Sequence, residues 1–353
     1  MGVTIPGCEE PFQSEARGER GSERLRDEHQ KIRRFREGDI IATPAGVTRW
    51  TYNDGDSAVI CVTLYDISNF QNQLDQNLRR FYLAGNPQAG GQGVAGRRQP
   101  GREERYNIFS GFDPEILSDA FGVSAETISK LQGAEDCRGN IVRVERSLQV
   151  LIPEFQYEEE ERQEERQRGI DNGIEETLCT LRLRENINDP SKADIFNPRG
   201  GRITTVNSQK LPILDYLQLS AQRVVLYKDA IRAPHSNINA HSIVYVTKGS
   251  GRIQVVRDNG KLVFDQQVQE GQLLVIPQHY ATLKKAGREG LELVAFKTNG
   301  NPMVSDLSGR VSTFRDIPAE VLMNSYCISK EEARQLKYGR HELTVFGPRR
   351  SSS

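Results

Sequence analysis

Apolar runs recur along this chain, and all of them are short. Val224-Val225-Leu226-Tyr227, Ile243-Val244-Tyr245-Val246 and the stretch 291–296 are β-branched or aromatic and bounded by Gly, Asn or Asp, which predicts strands. Arg252-Ile253-Gln254-Val255-Val256 partly alternates, and Arg257-Asp258-Asn259-Gly260-Lys261 then supplies an Asn-Gly hairpin turn. Residues 58–62 read as a further strand that buries Cys61, and Cys327 is expected to be a buried free thiol as well. Many short strands with close turns predict a sandwich or barrel. Pro318-Ala319-Glu320 opens a helix with Pro near its start, and Ser329-Lys330-Glu331-Glu332 is a capping box before a second one. A similar helix pair is predicted at Pro114-Glu115-Ile116-Leu117 and Ser124-Ala125-Glu126-Thr127. Such helices either dock on a neighbouring subunit or form a local two-helix cap. No run reaches the ~18 apolar residues that a membrane-spanning helix needs.

The pattern occurs twice. Glu37-Gly38-Asp39-Ile40-Ile41-Ala42-Thr43-Pro44 reads like Glu270-Gly271-Gln272-Leu273-Leu274-Val275-Ile276-Pro277. Residues 112–131 align without gaps on 317–336: Glu115 with Glu320, Leu117 with Leu322, Phe121 with Tyr326, Ser124 with Ser329. Two matches in the same order imply a duplicated domain. The expected layout is all-β with small helical extensions. A first barrel domain spans 1–156, with helices at about 112–132. An acidic disordered linker follows at 157–172. A second barrel domain spans 173–353, with helices at about 317–337 and a polar tail. Residues 85–105, rich in Gly, Gln, Pro and Arg, form a low-complexity loop inside the first domain. The first copy lacks the strands that precede Gly249 in the second, so the chain is expected to start inside a longer protein.

Composition adds to this picture. The 353 residues carry 47 Lys+Arg against 48 Asp+Glu, a net charge of -1, and this balance argues against nucleic-acid binding. Mean hydropathy is -0.60, which points to polar loops among the ordered parts. Arg outnumbers Lys 35 to 12, and Asn plus Gln total 41. So much side-chain nitrogen suits either a polar surface or a nitrogen store. None of the five Cys forms a CxxC pair. Cys8 and Cys179 lie in polar, turn-rich sequence and could pair.

The chemistry turns on one motif. The repeat Gly-x5-Pro-x-Gly-x2-[metal His]-x3-Asn resembles the second motif of the cupin barrels. Gly38, Pro44, Gly46 and Asn53 fit it in the first copy, with Arg49 at the metal-His slot. In the second copy Gly271 and Pro277 fit, His279 takes the second Gly slot and Thr282 the metal-His slot. Counting back from Gly249 along the first cupin motif places the remaining ligand slots at His235, Asn237 and Ser242. Catalytic cupins hold their metal with three His and one Glu. Here one His remains, beside an amide and two hydroxyls, so the reading is no metal, no cofactor and no catalytic residue. His235, His241 and His279 lie close in a barrel reading, and surface or satisfied polar histidines are the expectation.

Two barrels with lost metal ligands resemble the bicupin seed storage globulins, legumin-type (11S) in particular. Asn172-Gly173-Ile174-Glu175-Glu176-Thr177-Leu178-Cys179 resembles their processing junction, and Ile5-Pro6-Gly7-Cys8 the segment carrying their interchain cysteine. The resemblance implies a nutrient reservoir, with each of two jelly-roll cupin domains followed by a helical region and the first domain incomplete. It implies cleavage between Asn172 and Gly173 by an asparaginyl endopeptidase, with a Cys8–Cys179 disulfide joining the acidic and basic chains. It also implies assembly with like subunits into trimers and then hexamers, delivery through the secretory pathway to the protein storage vacuole of seeds, and frequent allergenicity. The alternatives are a metal-dependent cupin oxidase or isomerase, and a barrel holding a small apolar ligand. Phe264, Tyr280 and Phe296 filling the interior would argue against the latter.

Overall fold

Two unusually long strands bend at glycines, and the bend folds one sheet over on itself. In this computed structural model the described residues are 1–5, 13–14, 26–27, 32, 34–85, 107–133, 139–145, 148 and 181–348. They form strands β1 (Gly2–Thr4), β2 (Gln13–Ser14), β3 (Arg26–Asp27), β4 (Asp39–Ile41), β5 (Thr48–Trp50), β6 (Arg184–Asn186), β7 (Ile195–Asn197) and β8 (Gly201–Val206). Next come β9 (Ser220–Leu226), β10 (Ile231–Asn237), β11 (Ser242–Val256), β12 (Leu262–Gln269), β13 (Leu273–Ile276), β14 (Ala281–Lys297), β15 (Val304–Asp306) and β16 (Val345–Phe346). The helices are α1 (Pro114–Phe121), α2 (Ala125–Gln132), α3 (Ile213–Leu217), α4 (Thr313–Asp316), α5 (Ala319–Tyr326) and α6 (Lys330–Tyr338). Two compact units result: Met1–Tyr52 with Leu151–Ser353, and Asn53–Val150.

In the first of these units one antiparallel sheet runs β12-β11-β14-β9-β8-β7, with β13 beside β11 and β10 pairing β14, β15 and β16. β11 and β14 serve both walls. The first half of β11 pairs with β13 and the end of β14, and its second half with β12 and the start of β14. Their mutual register slips around Gly249 and Gly251, where the ribbon turns its corner. Gly249 has φ 75°, and a Cβ there would lie 2.3 Å from the Gly290 carbonyl oxygen, so only glycine fits. The sequence had suggested separate strands at 243–246 and 252–256; they are the two arms of β11. Between the walls lies an aliphatic core that includes Ile203, Val244, Ile253, Ile276, Leu291 and Leu293. A second cluster joins Ala42, from the first copy, to Ile187, Val206, Leu211, Ile213 and Leu214.

The duplication is written into the backbone. Gly38 and Gly271 both have φ 84°, and the next slot is left-handed in both copies: Gly46 at φ 80° and His279 at φ 66°. In the helix pairs, Gly122 (φ 65°) and Cys327 (φ 52°) occupy the same left-handed position after α1 and α5. Ser124 and Ser329 cap α2 and α6, the latter with a complete capping box. Phe109–Phe121 and Phe314–Tyr326 pack at ring separations of 5.8 Å in both copies.

Two expectations need correction. Residues 58–62 form no strand, and Cys61 is exposed. A β-branched run becomes a strand only where a neighbour takes its N–H and C=O groups, and none does so among the described residues. Cys327 is exposed too, because it fills the left-handed cap after a helix, a solvent-facing position that is Gly122 in the other copy. Asn172, Gly173, Cys8 and Cys179 lie outside the described residues, as do 157–172 and nearly all of 85–105.

Candidate functional site

Strand alternation sends every second side chain of β10, β11 and β14 inward. On β10 the inward residues include His235 and Asn237; on β11, Ser242; on β14, Thr282, Lys284 and Lys297. His235 stands opposite Thr282, and Ser242 opposite Lys297. The four ligand slots counted from the sequence are thus brought together, all buried to 5% exposure or less. Arg49 stands apart: it is exposed on β5, opposite Val3, with its guanidinium 3.5 Å from the Thr43 hydroxyl.

The hydrogen bonds define the protonation pattern. His235 Nδ1 lies 2.7 Å from the Ala233 carbonyl oxygen, which can only accept, so Nδ1 carries the proton. Burial, and then the positive charges of Arg232 and Lys284, hold this imidazole well below its usual pKa and keep it neutral. Its Nε2 lone pair therefore faces inward, and the Lys284 ammonium donates to it at 3.4 Å. Lys297 donates to Asn237 Oδ1 at 2.8 Å, and the Asn237 amide donates to the Ser242 hydroxyl oxygen at 3.2 Å. The Thr282 hydroxyl has no partner among the described residues, nor has Arg232 Nε. Such an unpaired buried group costs about 1–3 kcal/mol.

Two lone pairs in this site, on His235 and Asn237, are thus occupied by lysine ammonium groups. Sequence reasoning missed Lys284 and Lys297 as site residues. The signal was there: Lys284 lies two residues after Thr282, on the same face of a strand. Lys284 is lowered to about 7 by burial, with Arg232 and Lys297 adding to the effect. Lys297 is lowered to about 8, again chiefly by burial, with Asp306 opposing. Arg232 is buried and paired with Asp306 at 2.7 Å, and Thr344 also donates to that carboxylate at 2.8 Å.

This donor set does not fit a transition metal. One imidazole, one amide and two hydroxyls offer no anionic ligand, and two ammonium groups repel a cation. No group of three or more His, Cys, Asp or Glu could hold a metal among the described residues. His241 and His279 lie at the rim instead. Gln278 donates its backbone N–H to His241 Nδ1 at 3.1 Å, and its side-chain nitrogen lies 3.2 Å from His279 Nε2. Phe264 and Tyr280 pack on the core, while Phe296 alternates to the opposite face from Ala295 and Lys297. No helix among the described residues is long and apolar enough to cross a membrane.

Known proteins match over the same ground. Residues 1–89 and 185–334 match the Cupin family. An 11S globulin seed storage protein of Carya illinoinensis is 50% identical over 391 residues, covering 100% of this chain and 77% of that protein. The crystal structure of pumpkin seed globulin superposes with a TM-score of 0.81 at 44% identity, covering 99% of this chain and 81% of that one. That of the coconut allergen cocosin gives 0.79 at 44% identity, covering 98% and 81%.

Proposed function

This chain belongs to the cupin family and, within it, to the 11S seed storage globulins, and from that premise we propose how it is processed and packed. It is a seed storage protein and not an enzyme; its relatives are storage globulins and glutelins. The observation that carries the reading is identity to a seed storage protein along the whole chain. We infer two domains, 1–156 and 173–353, separated by the acidic linker 157–172. An asparaginyl endopeptidase cuts between Asn172 and Gly173. A Cys8–Cys179 disulfide then ties the acidic to the basic chain.

Subunits associate with their like into trimers. Exposed apolar residues on the helix pairs support this: Ile116 and Phe121 in one, Val321, Tyr326 and Leu336 in the other. Cleavage then frees a face on which two trimers stack into a hexamer. The destination is the protein storage vacuole of seeds, where near-zero net charge favours dense packing. Similarity to a coconut allergen supports allergenicity.

Gel electrophoresis of the protein from its source tests the processing. One band is expected to split on reduction into a larger acidic and a smaller basic piece, the latter beginning at Gly173. A single band unchanged by reductant removes the proposal.

A further inference from the structure

We propose that the second barrel binds a small oxyanion, a carboxylate or a phosphate, among Lys284, Lys297, Thr282 and Ser242. The argument is an inventory of donors and acceptors. Each lysine carries three N–H donors, and each uses one among the described residues. The Thr282 hydroxyl is 2% exposed and has no partner among the described residues. Ser242 accepts from Asn237, which leaves its own proton free to donate. The acceptors facing these donors are engaged among the described residues: His235 Nε2 by Lys284, Asn237 Oδ1 by Lys297, and Asp306 Oδ1 by Arg232 and Thr344.

What remains is an excess of buried donors and of buried positive charge. The occupant that answers both is negatively charged and accepts without donating. A water satisfies donors but leaves the charge, an apolar ligand satisfies neither, and a metal ion adds to the repulsion. The exposed rim residue His279 donates its backbone N–H to the Asn237 carbonyl oxygen at 2.8 Å, next to the buried cluster. The site is where cupin enzymes keep a metal, with the sign of its preference reversed.

Calorimetric titration of the full chain at pH 6 tests this, with inorganic phosphate in one arm and acetate in the other at constant ionic strength. Saturable one-site binding is expected in at least one arm, and the arm that responds assigns the class. Lys284→Met and Lys297→Met should each weaken it at least tenfold. Lys285→Met, on the exposed face of the same strand, should leave it unchanged. Thr282→Val removes a single hydroxyl and keeps the test open if a lysine variant does not fold; it should weaken binding several-fold. No saturable binding in either arm overturns the proposal, as does equal binding by the Lys284 and Thr282 variants, which would mean surface adsorption.

Discussion

At the scale of single residues, the second barrel holds two ammonium groups where water cannot solvate them, and stability must follow their protonation. Lys284 and Lys297 are held at about 7 and about 8, against 10.5 for a free lysine. Between those values and 10.5 the unfolded chain binds more protons than the folded one. Stability therefore rises as pH rises through about 7 to 10.5, and below about 7 the full cost of the charged lysines remains. Neutral His235, the Arg232 guanidinium and the Asp306 carboxylate face the same space, and burial holds His235 well below its usual pKa, so it stays neutral over this range. Thermal unfolding in a non-coordinating buffer should show a midpoint that climbs from pH 7 to 9.5. Lys284→Met should flatten that climb and gain about 1–4 kcal/mol at pH 6, as replacing a buried charge by an apolar side chain can. A steeper climb in the variant would contradict this account. The four ligand slots were legible in the sequence because a spacing motif fixes strand register, and register fixes which face each residue takes. The lysines were not, because the motif is silent about positions it does not name. Cys61 and Cys327 misled for a related reason: apolar neighbours suggest burial, but a partnerless strand and a helix cap stay wet.

At the scale of elements, the corner and the helix pairs each carry a prediction. Gly249→Ala places a Cβ 2.3 Å from a carbonyl oxygen in a left-handed backbone. The corner has to open, and the expected loss is about 2 kcal/mol or more, read from denaturant unfolding. Gly271→Ala, at φ 84° and likewise left-handed but with open space around its Cβ position, should lose less, about 1 kcal/mol. Equal losses would show that backbone conformation alone matters at the corner. The helix pairs were readable because capping and Pro signals are local. The two-arm nature of β11 was not, since Thr247-Lys248-Gly249-Ser250-Gly251 looks like a loop and becomes strand only when β14 supplies the partner carbonyls. The outward faces of α5 and α6 leave Val321 and Leu336 half exposed. Val321→Asp with Leu336→Asp should leave the far-ultraviolet spectrum intact and shift the elution volume from that of the proposed trimer to that of a monomer. Retention of the trimer would place the subunit contact elsewhere.

At the scale of the whole molecule, the two halves expected from processing share a noncovalent seam in addition to the proposed disulfide. β4 lies before residue 172 and β6 after it, and the two pair antiparallel: Asp39 with Asn186, Ile40 with Glu185, Ile41 with Arg184. The ladder extends at both ends, through Ala42 N–H to the Leu183 carbonyl at 2.8 Å and Ile187 N–H to the Gly38 carbonyl at 2.9 Å. Asp39 accepts from Arg184 at 3.1 Å and from the Asn186 amide at 2.6 Å. Ala42 enters the same aliphatic cluster as Ile187 and Leu211, so the seam has a dry side. Apolar surface buried along such a seam contributes about 25 cal/mol per Å², and this contribution does not depend on a covalent link. Protein cleaved after Asn172 and then fully reduced should therefore elute as one species under native conditions and separate only in denaturant. Ile187→Asp puts a charge into the dry side of the seam and should let the reduced halves part at lower denaturant than in the unsubstituted protein. Separation of the unsubstituted halves by reductant alone would mean that the disulfide, and not the β4–β6 seam, keeps them together.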